Sequence, residues 1–227
     1  MTGSALRAVL FDLDGTLADT APDLVGAVAR LRARLGLAEI DLGHLPPLAG
    51  QGALALMAAG VPELDEAQRE VWRSAYLEDY RAHCWDDSRP FDGVPDLLER
   101  LDAMGLKIGV VTNKLRALAE PLIRRAGWAD RVAALVGGDD TDRPKPAPDP
   151  VEQACRLLGV APGEAVMVGD DRRDIQAGRA AGSRTVAAAW GYLAASEDPA
   201  GWGADALIRR PIDLLAALAE IQTGTLR

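Results

Sequence analysis

Two aspartates two residues apart, Asp12 and Asp14, end a short apolar run and are followed at once by Gly15 and Thr16. On an extended strand the side chains of residues i and i+2 lean the same way, so one site can receive both carboxylates. One can attack phosphorus while the other gives a proton to the leaving oxygen and then activates water. Gly15 permits the sharp turn that such a strand end requires. Taken by itself, a DxDG segment reads equally well as an exposed turn or a calcium-type loop.

Three further groups supply what this chemistry lacks. Thr112, Asn113 and Lys114 follow an apolar stretch, and their hydroxyl, amide and backbone N–H groups suit phosphoryl oxygens, although a helix N-cap at Thr112 or Asn113 explains them in isolation. Lys145 lies in Arg143-Pro144-Lys145-Pro146-Ala147-Pro148, where the prolines exclude a helix and stiffen the chain. A rigidly presented lysine suits charge neutralisation at a phosphorane, and a solvated loop lysine is the plain alternative. Asp170, Asp171 and Asp174 cluster just after Gly169. Clustered carboxylates repel one another and a phosphate, by several kcal/mol per close pair in low dielectric. A hard dication resolves this, and oxygen ligands with retained waters suit magnesium. Helix capping by Asp170 and Asp171 is the alternative there.

The elements needed to bring these groups together are legible. Residues 6–12, 106–112, 132–136, 164–169 and 185–189 read as buried strands. Helices are expected at 95–104, 115–126, from Asp149 to the stop at Gly159, and at 172–181. Strands alternating with helices of this length indicate an α/β fold with a doubly wound parallel sheet. Such sheets bind ligands at the carboxyl ends of their strands. All four groups fall on that one rim, in roles that complete one reaction, which argues against coincidence. Residues 17–88 contain no strand pattern. Helices are expected at 21–35, with Asp19 or Thr20 as N-cap and Gly36 as stop, and at 53–59 and 64–84. This section reads as an all-helical cap inserted into a core made of 1–16 and 89–227.

Composition narrows the class. The chain has 227 residues, 48% hydrophobic and 26% charged, with a net charge of −9. That balance argues against nucleic acid or an anionic membrane as partner. No signal-peptide core or membrane-length apolar run is present, and two cysteines make no framework, so a cytoplasmic setting is expected. A monomer or weak homodimer is expected. His44 and His83 have no metal-ligand spacing; Cys84, Cys155, Trp128, Trp190 and Trp202 read as packing residues.

The set resembles the haloacid dehalogenase-like phosphatases: Asp12-Leu13-Asp14-Gly15-Thr16-Leu17 is similar to their first motif, Thr112 to the second, Lys145 to the third, and Gly169-Asp170 with Asp174 to the fourth. The motif order and the helical insertion also match, over essentially the whole chain. The resemblance implies that Asp12 is the nucleophile and Asp14 the general acid/base. It implies Mg2+ held by Asp12, the backbone carbonyl of Asp14, and Asp170, with Asp174 in support. Thr112, Asn113 and Lys145 would bind the phosphoryl group, and Gly50-Gln51-Gly52 resembles the cap loop that faces the active site, though a helix-start turn reads the same.

Within that family the chain is similar to the phosphoglycolate phosphatase group. The stretch from Asp170 to Ile175, with Trp202-Gly203-Ala204-Asp205, is especially similar to its N-acetylmuramic acid 6-phosphate phosphatases. Asp171 departs from the serine that many of the group carry. Both implied substrates bear a carboxylate beside the phosphate, so a further cation is needed, with Lys114 the first candidate and Arg116 the next. A phosphotransferase of the sugar phosphomutase type shares these motifs and is the main rival. A phosphoaspartate signalling receiver is a weaker one, since it has neither a helical cap nor a DxD pair.

Overall fold

A computed structural model of the chain describes residues 5–193 and 197–224. Its centre is a six-stranded sheet in the order β5-β4-β1-β6-β7-β8, all neighbours parallel. The strands are β1 (Ala8–Phe11), β4 (Lys107–Val111), β5 (Val132–Val136), β6 (Ala165–Gly169), β7 (Arg184–Ala188) and β8 (Ala206–Ile208). From β1 the chain winds outward through β4 and β5, then returns to β1's other side and winds through β6, β7 and β8. The switch point is therefore at β1, where the crossovers diverge and a crevice opens at the strand ends.

β1 is an uninterrupted buried apolar run because it is covered on both faces. Val9 and Phe11 join Val166, Val168, Ile108 and Val110 on one side. Ala8 and Leu10 join Ala165, Met167, Val111 and Val136 on the other. This two-residue alternation is the strand period expressed as two half-cores. Helices α4 (Val94–Ala103), α5 (Arg116–Arg125) and α8 (Leu214–Thr223) cover the first face. Helix α6 (Asp149–Leu158) covers the second, together with Ala177 of α7 (Arg172–Ala181). The doubly wound parallel sheet expected from the sequence is thus present, with β8 and α8 added at its far end.

Between β1 and β4 lie α1 (Ala21–Arg34), α2 (Ala53–Gly60) and α3 (Glu66–His83). Asp65 and Gln68 close α3's first turn with a reciprocal capping box. A two-stranded antiparallel pair, β2 (Ala18–Asp19) with β3 (Arg89–Pro90), marks where the chain leaves and re-enters the core. Asp23, on α1 and almost fully buried, accepts from the N–H of Asp87, the N–H of Ser88 and the Ser88 hydroxyl, tying α1 to the re-entry strand. The apolar cluster under β1 runs on without a break through Leu24, Val28, Leu56, Met57, Tyr76 and Tyr80 of the helical section.

The start of α1 departs from expectation. Neither Asp19 nor Thr20 caps the helix with its side chain. The Thr20 hydroxyl donates to Asp14 instead. The Tyr192 hydroxyl, carried by the loop after β7, accepts from the N–H groups of Thr20 and Ala21 at 2.6 and 2.8 Å and donates to Asp19. A local capping preference is overridden by a tertiary one, because Thr20 is needed at Asp14. Among the described residues no helix is long and apolar enough to cross a membrane. Cys84, Cys155, Trp128 and Trp202 are buried, whereas Trp190 also uses its indole N–H, donating to the carbonyl of Thr16.

Candidate active site

The sheet register delivers the site. Phe11 is level with Val110 on one neighbour and Val168 on the other, so Asp12, Thr112 and Asp170 emerge side by side from adjoining strand ends. A cavity of about 260 Å3 lies above them, bounded by Asp12, Asp14, Thr112, Lys145, Asp170 and Asp174 below and by Leu24, Tyr76, Leu77 and Tyr80 of the helical section opposite. Gly50, Gln51 and Gly52 form part of the same wall.

Asp12 accepts a hydrogen bond on Oδ1 from the N–H of Leu13 at 2.7 Å, and the same oxygen is 3.0 Å from Lys145 Nζ. Lys145 is almost fully buried; its ammonium also donates to the Val111 carbonyl and lies 2.6 Å from Asp174 Oδ1. Burial would depress the lysine, but Asp12 and Asp174 outweigh it and hold the ammonium above its ordinary value. Asn113 fixes the lysine's backbone: its amide donates to the Lys145 carbonyl and accepts from the Lys145 N–H. The amide expected to reach a phosphoryl group is thus engaged in presenting the lysine. Thr112 is buried, and its hydroxyl accepts from the N–H of Lys114.

Three carboxylates gather beside Lys145. Asp12, Asp170 and Asp174 each offer an oxygen, and these lie within 4.8 Å of one another. Burial and then the charge of Asp12 push Asp170 up to about 7, against hydrogen bonds from the Thr16 hydroxyl and the Tyr192 N–H. Burial pushes Asp174 up as well; the Lys145 ammonium opposes this, and Asp12 and Asp170 add to the rise. The cluster is therefore short of positive charge, and its all-oxygen donor set fits a hard dication such as magnesium. Asp171 stands outside the cluster. It caps α7 through the Arg173 N–H and receives the Arg173 guanidinium on both oxygens.

Asp14 is turned from Asp12's partners toward the helical section. Its Oδ1 accepts from the Thr20 hydroxyl at 2.6 Å, and both its oxygens accept from Lys114 Nζ, at 3.0 and 2.9 Å. Lys114 is nearly buried and lies 4.5 Å from the centre of the Tyr80 ring. Its charge is thus committed to Asp14. Arg116, the second candidate cation, forks onto Asp140 and donates to the Leu135 carbonyl, away from the cavity. Of the histidines, His44 is exposed near the Ala59 carbonyl and His83 pairs with Asp86.

Two contributors were given no role by the sequence, although Thr16 lies within the first motif. Thr16 holds Asp170 from two sides, donating to its Oδ1 and accepting its N–H. Tyr192 supports the other oxygen through its own N–H; its place in the loop after β7 was the available signal, since that loop belongs to the same rim. Backbone closeness matters here too. A Cβ on Gly191 would stand 2.2 Å from Asp170 Oδ2 and 2.3 Å from the Gly15 carbonyl. Gly191→Ala is expected to displace Asp170 and, if the cluster holds magnesium, to weaken that binding by about 10–100-fold, the cost of disturbing a ligand's support. Titration of magnesium-induced thermal stabilisation measures this, and an unchanged midpoint would show that the loop yields without moving Asp170.

Comparison with known proteins places this geometry in a family. Residues 9–188 match the family model described as haloacid dehalogenase-like hydrolase. The chain is 43% identical over 214 residues to an N-acetylmuramic acid 6-phosphate phosphatase of Pseudomonas aeruginosa, covering 94% of this chain and 95% of that one. It is 44% identical over 208 residues to a phosphoglycolate phosphatase of Xanthomonas campestris, covering 92% and 94%. The crystal structure of a predicted phosphoglycolate phosphatase from Haemophilus somnus superposes with a TM-score of 0.83 at 26% identity, over 94% of this chain and 98% of that one. The sheet order, the carboxylate cluster and these matches agree, and the chain belongs to the haloacid dehalogenase-like hydrolases, on the phosphoric monoester hydrolase side of that family.

Proposed function

We propose that this enzyme hydrolyses a small carboxylate-bearing phosphomonoester, 2-phosphoglycolate or N-acetylmuramic acid 6-phosphate, with magnesium and through an aspartyl phosphate on Asp12. The observation that carries the reading is the meeting of Asp12, Lys145, Thr112 and the Asp170–Asp174 pair on the floor of one cavity. Asp14, two residues along, lines the same space. The substrates named for the relatives at 43% and 44% identity support the choice of ester.

Asp12 Oδ1 is taken by the Leu13 N–H and faces Lys145, which leaves Oδ2 to attack phosphorus. As the new O–P bond forms, the bond to the leaving oxygen breaks and that oxygen takes a proton from Asp14. Lys145 and the Thr112 hydroxyl hold the phosphoryl oxygens while charge develops on them. A water then gives its proton to Asp14 and attacks the phosphoenzyme, which releases phosphate and restores Asp12. Asp12 and Asp170, backed by Asp174 and joined by the backbone carbonyl of Asp14, would hold magnesium, which when bound neutralises charge on the phosphoryl group. Residues 17–88 act as a cap, with Leu24, Tyr76 and Tyr80 excluding bulk water from the ester.

The test is turnover of both esters with magnesium and in excess chelator. Activity should vanish in chelator and return with magnesium; full activity without metal would overturn the reading. A second readout follows from the carboxylates. Asp170 is pushed up to about 7 and Asp174 is also pushed up. In metal-free protein the contribution of Asp170 to stability is complete below the ordinary aspartate range and is lost as pH rises through about 7, and the raised Asp174 acts in the same direction. Magnesium supplies the missing positive charge, so its shift of Tm should be larger near about pH 8 than near about pH 5.5. Equal shifts at both would show that the cluster does not hold the metal.

A further inference from the structure

An acidic cavity that accepts an ester with a second anion needs a cation beyond Lys145 and magnesium. Lys114 is hydrogen-bonded to both oxygens of Asp14 and nearly buried. Arg73, which also lines the cavity, is paired with exposed Glu70 one turn away, a weak and loosely held arrangement. Arg173 differs from both. It sits in the first turn of α7, beside the Asp170 strand end, and lines the cavity. Its Nε and Nη2 fork onto the two oxygens of Asp171 at 2.8 and 2.7 Å, and Nη2 also donates to the Gly50 carbonyl at 2.7 Å.

These three contacts fix the plane of the guanidinium and use one edge of it. A guanidinium carries five N–H donors, so the two on Nη1 are not used by this fork. Asp12 and Asp174 lie close enough that their charges, after the larger effect of Asp171, favour the charged arginine. A planar fork whose geometry is set in advance loses little freedom on meeting a carboxylate, the property that separates arginine from a flexible lysine.

We propose that Arg173, held by Asp171 and by the Gly50 carbonyl of the cap loop, receives the carboxylate of the substrate and sets the enzyme's preference for carboxylate-bearing esters. The proposal rests on the phosphatase reading above. The contact to Gly50 gives it a second aspect: the residue that reads the substrate's free carboxylate is also bonded to the loop that covers it.

The experiment uses matched pairs of esters. N-acetylmuramic acid 6-phosphate is compared with N-acetylglucosamine 6-phosphate, the same sugar phosphate without the lactyl carboxylate. 2-Phosphoglycolate is compared with 2-hydroxyethyl phosphate. Arg173→Gln should lower kcat/KM for the carboxylate member of the wild type's preferred pair by about 10–100-fold while its neutral partner changes by less than about threefold, the range for losing one charge-assisted contact. Arg173→Lys keeps the charge without the fork and should regain part of the preference; it also stands as the deciding variant if Arg173→Gln does not fold. Lys114→Met should slow both members of a pair alike, because Lys114 acts on Asp14.

If Arg173 variants lose both members equally, or keep the wild-type preference, the assignment of the carboxylate to Arg173 is overturned while the phosphatase reading stands. If the wild type itself shows no preference within either pair, the choice of ester class falls, and the role of Arg173 falls with it.

Discussion

Asp12→Asn is expected to lose turnover of every phosphate ester by on the order of 10^4–10^6-fold, the scale on which removing a nucleophile acts. The amide is nearly isosteric with the carboxylate. Its oxygen can keep the 2.7 Å bond from the Leu13 N–H and the approach to Lys145, so the strand end stays in place. What disappears is the anionic oxygen that faces the cavity. Intact-mass measurement after mixing with substrate should detect a phosphoryl adduct on the wild type and none on the variant. Residual turnover above about 1% of wild type would remove Asp12 from the nucleophile's role.

Lys145→Met should cost less activity than Asp12→Asn but much more stability. The ammonium is the one described positive group placed between Asp12 and Asp174, and it also satisfies the Val111 carbonyl. Methionine fills the space but leaves buried carboxylates facing each other. Breaking a buried pair in this way costs about 3–5 kcal/mol, read as a drop in Tm of the metal-free protein. Turnover should fall about 10^2–10^3-fold, as for loss of one preorganised group at a developing charge. Magnesium should restore part of the Tm and little of the turnover. A variant as stable as wild type without metal would mean that the carboxylates find another partner, and the electrostatic account would fail.

How much of this was legible in the sequence depends on the distance over which each residue acts. Asp12, Thr112 and Asp170 were readable because a strand end is a local pattern, and the rule that such ends share one rim needs no side-chain detail. The sheet itself followed from alternating apolar runs and glycine stops. The partner of Lys114 was not readable: Asp14 lies 100 positions away, and both a solvent-facing and a substrate-facing lysine fit the same three letters. Arg173 was hidden for a related reason, since its meaning comes from the Gly50 carbonyl, 123 positions away. At the start of α1 local preference pointed to Asp19 or Thr20, and a tyrosine 172 positions further along the chain took the role. β8, three residues at a sheet edge, is too short to show a period. α8 was within reach, with Leu214, Ala217, Leu218 and Ile221 spaced as one helical face.

Tyr192 has a consequence for chimaeras. Helical insertions are natural units to exchange between relatives when a new pocket shape is wanted, with the joints cut near 17 and 88. Here such a graft would carry α1 but not its cap, because the hydroxyl that satisfies the first N–H groups of α1 belongs to the recipient's loop after β7. The same tyrosine's backbone supports Asp170. A recipient with another residue at that position would receive a helix whose first turn is unsatisfied, directly above a carboxylate whose support has changed. The transferable unit is therefore the insertion together with the 189–193 loop, two pieces separated in the chain and joined by one phenol.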